Sequence, residues 1–157
     1  MEATRSGRFV AVAQWVMAVL LPAFFFIGRG LVGADLGWLT VLSVIYGPIV
    51  IVLMLIPPLV TRLDRDVREL RCVRQPYVVA SWALWVSILV ASLTVPDAAD
   101  GGPFDTALTA WTGGRIDDQA SAAVFAVAGI GALIAYAAQL AFAVSGALRS
   151  RKAPAAV

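Results

Sequence analysis

Four apolar runs set the terms for this chain: residues 9–28, 38–60, 77–95 and 119–148, none with a charge in its interior. A bilayer's hydrocarbon core is about 30 Å thick, and about 20 mostly apolar residues cross it as a helix. Each run meets that length. A segment buried in lipid must satisfy its own backbone hydrogen bonds, so each run is expected to be helical. The composition agrees. Hydrophobic residues make up 61% and charged residues 14%, against about 45–50% and about 25% in ordinary soluble domains. The expected fold is an all-α integral membrane four-helix bundle. All of residues 1–157 form a single four-span domain, with loop 61–76 on one face and loop 96–118 on the other.

The basic residues orient the bundle. Arg5 and Arg8 precede the first run, Arg62, Arg65, Arg68, Arg71 and Arg74 lie between the second and third, and Arg149, Arg151 and Lys152 follow the fourth. Those ten share one side, and only Arg29 and Arg115 fall on the other. Lysine and arginine accumulate on the cytoplasmic side, so both termini and loop 61–76 are expected there. Arginine outnumbers lysine eleven to one, a bias that GC-rich bacterial genomes produce. The expected location is therefore a bacterial cytoplasmic membrane. Trp15, Trp38, Trp82 and Trp85 lie near the ends of the runs and are expected as interfacial anchors.

The stretch "RLDRDVRELRCVR", Arg62 to Arg74, carries an arginine at every third position. Voltage-sensing helices share that spacing. Here, however, Asp64, Asp66 and Glu69 are interleaved, making eight charges. At about 2.5–3.5 kcal/mol each, burying them at mid-membrane would cost on the order of 20 kcal/mol. The ladder is therefore read as a surface element. Three residues turn a helix by about 300°, so the arginines spread round the axis and leave Leu63, Val67 and Leu70 as one apolar stripe. Pro57-Pro58 suits a helix start and Gln75-Pro76 an end, which predicts an amphipathic helix to about Arg74. Arg62/Asp66, Asp64/Arg68 and Arg65/Glu69 are expected i, i+4 pairs. Such a helix can lie on anionic headgroups, dock a partner through Leu63, Val67 and Leu70, or serve as a solvated connector. Nucleic-acid binding is not expected, because the stretch is short, diluted by acids and without interleaved aromatics. Cys72, the only cysteine, excludes an intrachain disulfide and is expected to be open to thiol reagents from the cytoplasm.

On the other face, Pro103 and Gly113-Gly114 bracket either a second amphipathic helix, with Phe104, Leu108 and Trp111 on one side, or an ordered loop with some buried aromatics. Asp117 or Asp118 is expected to cap the fourth span. Asp97, Asp100 and Asp105 lack the spacing of a Ca²⁺ loop and are expected to be solvated. In the fourth span Ala128, Gly131, Ala135 and Ala138 form a small-residue stripe suited to close helix packing. Gln14 and Gln139 are the in-span polar residues that most need partners.

There is no histidine, which removes imidazole haem ligation, most zinc sites and histidine bases. HExxH, CxxC, P-loop and GxSxG patterns are missing. No catalytic residue, metal ligand or cofactor is expected, and the chain is not read as an enzyme. The expectation is an accessory or structural subunit of a larger membrane complex, or a lipid-interacting scaffold. Its partners would be membrane lipids, other membrane subunits or further copies of itself. The alternative is a small oligomeric transporter or channel.

Overall fold

The structure is a computed structural model and describes residues 4–100 and 102–152. Helix α1 spans Arg5–Phe26 and a 3₁₀ helix spans Gly28–Val32. They are followed by α2 (Trp38–Thr61), α3 (Arg65–Leu70) and α4 (Gln75–Thr94). A hairpin, β1 (Asp97–Ala99) with β2 (Gly102–Phe104), then leads to α5 (Ala107–Thr112) and α6 (Asp118–Lys152). Helices α1, α2, α4 and α6 are each long and apolar enough to cross a membrane. They run up and down, so one end of the bundle carries the arginine ladder and the opposite end carries the hairpin.

Helix α4 is the centre of the bundle. It packs on α6 and on α1, while α2 closes against α1 and α6. Val10, Gln14, Ala18 and Leu21 give α1 its buried face, at the i, i+4 spacing of one helix side. Ala128, Ala135, Ala143 and Ala147 do the same for α6. Gly131 sits against α4, where an added Cβ would lie 3.1 Å from Ser87 Oγ. Of the small-residue stripe, Ala128 and Ala135 are buried, while Gly131 and Ala138 are half-buried. Helix α2 is peripheral, with Val41, Val44, Ile45, Ile49 and Val52 all exposed. In water such a surface would be a liability, and in lipid it meets a matching solvent.

Polar groups inside the long helices find each other. The Tyr77 hydroxyl donates to Gln14 Oε1 at 2.7 Å, and Gln139 Nε2 donates to Ser81 Oγ at 2.8 Å. Both glutamines are buried. Proline does not end α2. Pro57 and Pro58 lie within it, which corrects the expectation of a helix start there. Lacking an N–H, Pro57 leaves the Leu53 carbonyl without its intrahelical donor, and the Tyr136 hydroxyl donates to that oxygen at 2.9 Å.

Two further expectations are corrected. Trp85 is a core residue, 5% exposed, in edge contact with Trp82. The helix predicted from Pro103 begins later: β2 takes Pro103 and Phe104, and Thr106 caps α5 by accepting from Thr109 N at 3.1 Å. Its buried residues are Ala107 and Thr109, while Trp111 is exposed and its indole donates to the Val32 carbonyl. The Phe104 side chain lies outside the described part. Asp117 does cap α6, accepting from Ala120 N at 2.7 Å.

Candidate functional site

The ladder does not form one helix. Helix α2 runs on to Thr61, and Asp64 starts a new helix by accepting from Asp66 N at 3.1 Å. Helix α3 lasts six residues and ends at Arg71, whose φ of 49° is left-handed. A side-chain oxygen that offers the backbone an alternative partner is what breaks a continuous helix here. The apolar stripe is split in consequence. Val67 enters the core, while Leu63 and Leu70 stay exposed, so the three do not form a docking face.

The expected ion pairs change as well. Arg65 Nε meets Glu69 at 2.7 Å, as the i, i+4 spacing suggests. Asp64, however, is buried and pairs with Arg74 Nε at 3.0 Å, and Arg74 Nη2 also reaches Asp66 at 2.9 Å. The Ser150 hydroxyl at the far end of α6 donates to Asp64 Oδ1 at 2.5 Å and accepts from Arg65 N at 3.1 Å. Gly146 makes room, since a Cβ there would lie 2.5 Å from Asp64 Oδ2. Burial pushes the Asp64 carboxyl up, but Arg74, Ser150 and the Asp66 N–H outweigh it and hold it below the ordinary carboxylate range. These contacts staple α2, α3, α4 and α6 together.

Arg62, Arg68 and Arg71 form no ion pair among the described residues. All three are exposed, and all three line one groove of about 540 Å³ against α1. Ala11, Val12, Trp15 and Val67 give it an apolar lining, with Gln14 and Thr61 as the buried polar residues beside them. The Arg62 guanidinium lies 4.4 Å from the centre of the Trp15 ring, a cation–π distance. The five-arginine ladder is therefore one structural arginine, Arg74, one in an exposed i, i+4 pair, Arg65, and three that face an open groove.

Cys72 is fully buried, and an added Cβ at Gly7 would lie 2.5 Å from its Sγ. Its expected openness to thiol reagents is thus corrected: the start of α1 covers it.

At the hairpin end, Arg29 and Asp97 form a buried ion pair, with side chains 1% and 5% exposed. Asp97 also accepts from Gly37 N at 2.8 Å, Leu39 N at 3.1 Å and Ala98 N at 2.9 Å. It thereby caps α2 from a distant point in the chain. Burial raises the Asp97 carboxyl, and the three N–H groups with Arg29 more than reverse that, leaving it below the usual range. Asp97 is not the solvated loop acid expected, whereas Asp100 and Asp105 are exposed. Nε and Nη1 of Arg29 are buried with no partner among the described residues. No group of three or more metal-ligating side chains occurs among the described residues.

No protein-family model matches the chain. Neither a curated protein nor a solved structure is similar to it at a significant level.

Proposed function

We propose that this chain is a non-catalytic multi-pass protein of a bacterial cytoplasmic membrane, with both termini and the ladder end in the cytoplasm. It acts as a lipid-interacting scaffold or accessory subunit of a membrane complex. The observation that carries this reading is how the polar groups are distributed. Inside the long helices, Gln14, Tyr77, Ser81, Tyr136 and Gln139 bond within the chain. A conducting path or a catalytic centre would need such groups turned toward substrate. Three arginines with no ion pair among the described residues, Arg62, Arg68 and Arg71, instead share one groove at the ladder end, which on this reading is the cytoplasmic face of the bilayer.

Two measurements test the reading. The first is labelling of Leu63→Cys in a Cys72→Ala background with an impermeant maleimide. Leu63 is 58% exposed, so labelling is expected in inverted vesicles and not from outside intact cells. Labelling from outside overturns the orientation. The second is solute and ion flux through proteoliposomes of the pure protein. Flux above that of empty vesicles favours the oligomeric transporter or channel and sinks the accessory role.

A further inference from the structure

We infer that the groove between α1 and the α2–α3 turn is a binding site for one anionic phospholipid. Arg62, Arg68 and Arg71 would hold the phosphate, and the apolar side of α1 would hold an acyl chain. The inference rests on the ladder end lying at a membrane surface, and is independent of whether the protein serves a larger complex.

The first ground is charge. Arg65 is satisfied by Glu69, and Arg74 by Asp64 and Asp66. The three arginines left over line a single concavity and have no ion-pair partner among the described residues, and the stretch from Arg62 to Arg74 carries a net charge of +2, five arginines against three acids. Guanidinium groups match phosphate oxygens with paired N–H donors. The left-handed turn at Arg71 lets that arginine follow the end of α3 and still line the same groove as Arg62.

Continuity with an apolar track is the second ground. Val12 lines the groove and is 70% exposed. Val16 and Val19 follow it at i+4 and i+7 on α1 and are also exposed. This stripe leads away from the arginines along the helix for about 10 Å, into what would be the hydrocarbon. Inorganic phosphate would use the arginines and leave the exposed Val12, Val16 and Val19 without a role. A phospholipid uses both. Trp15, stacked under Arg62, places the cation at the depth that interfacial aromatic residues favour.

The test uses the full-length protein in neutral detergent, where orientation in a membrane plays no part. Phosphatidylglycerol and phosphatidylcholine are titrated separately, and lipid-bound protein is counted by native mass spectrometry. Retention of one phosphatidylglycerol in preference to phosphatidylcholine is expected. Arg62→Gln/Arg68→Gln/Arg71→Gln should weaken binding on the order of a hundredfold, and Arg68→Gln alone by about fivefold. A control, Arg5→Gln/Arg65→Gln/Arg149→Gln, removes the same charge from exposed positions outside the groove lining and should change binding little. Thermal unfolding of each variant separates lost binding from lost fold, and Arg68→Gln, on an exposed turn, keeps the test decisive if the triple variant unfolds. Equal weakening in the control would mean diffuse attraction and no site. Equal retention of phosphatidylcholine, or displacement by inorganic phosphate, would also overturn the proposal. If lipid binding fails while the Leu63→Cys labelling holds, the membrane placement stands and the site does not.

Discussion

The two ends of the bundle use the same device and reach different results. Each has a buried aspartate that caps a helix and pairs with an arginine: Asp97 with Arg29 at the hairpin end, Asp64 with Arg74 at the ladder end. At the hairpin end the pair is sealed, with the guanidinium wholly inside. At the ladder end Arg74 is part-exposed and shared between two acids, and three more arginines remain around it. Sealing fixes geometry and presents no charge at the surface. An open staple fixes geometry and still presents charge. The first end is built as a lock and the second as a rim.

The largest effect should come from breaking the lock. Asp97→Ala leaves Arg29 buried and unpaired and also uncaps α2. It is expected to destabilise by about 3–5 kcal/mol, measured by thermal unfolding in detergent. Adding Arg29→Met to Asp97→Ala should recover most of that loss but not the cap, worth about 1 kcal/mol. Full recovery would mean that the cap carries nothing.

Next comes Gly146→Val, which drives a side chain into the Asp64 carboxylate and should cost about 1–3 kcal/mol. Gly129→Ala, in the same helix with nothing within 4 Å of the added Cβ, should be neutral or stabilising. Equal losses at both positions would mean that α6 simply resists substitution and that the staple has no special fit.

Acid should act on both ends in one direction. In the fold the Asp64 and Asp97 carboxyls are held below the ordinary carboxylate value. Their contribution is therefore fully present above that value and lost as pH falls through the folded pKa. Unfolding followed from neutral pH down to about 2 should show this loss, and Asp64→Asn should remove part of the slope. An unchanged slope would deny the staple its role. Arg65→Gln stands at the low end of the scale. The Arg65–Glu69 pair is exposed on both sides, and no measurable loss is expected. A clear loss there would blur the distinction between paired arginines that hold structure and those that only decorate a surface.

The four long helices were legible because lipid leaves a chain few alternatives, and each apolar run meets its helix within a few residues. The capping Asp117 was legible because a cap is local. The loops were not, because their partners are remote. Arg29 finds Asp97 at a separation of 68 residues, and Asp64 finds Ser150 at 86. Periodicity read Arg62 to Arg74 as one continuous helix, since it counts side-chain faces and cannot see an aspartate capping its own backbone. The hairpin was missed although Asp-Gly-Gly at 100–102 is a turn pattern. Its strands are three residues each, too short for alternation to register. The division of the ladder into paired and free arginines is visible only once Arg74 is seen beside Asp64.

The capping of α2 by Asp97 also bears on how the chain is made. Synthesis delivers α2 well before the residue that completes its first turn, and Arg29 before the charge that neutralises it. The first helical hairpin therefore leaves the ribosome with open N–H groups and an unmatched cation. Ser150 repeats the pattern for Asp64 at the other end. The protein is finished backwards, its early segments closed by late ones, so a nascent chain halted after α3 lacks both fastenings.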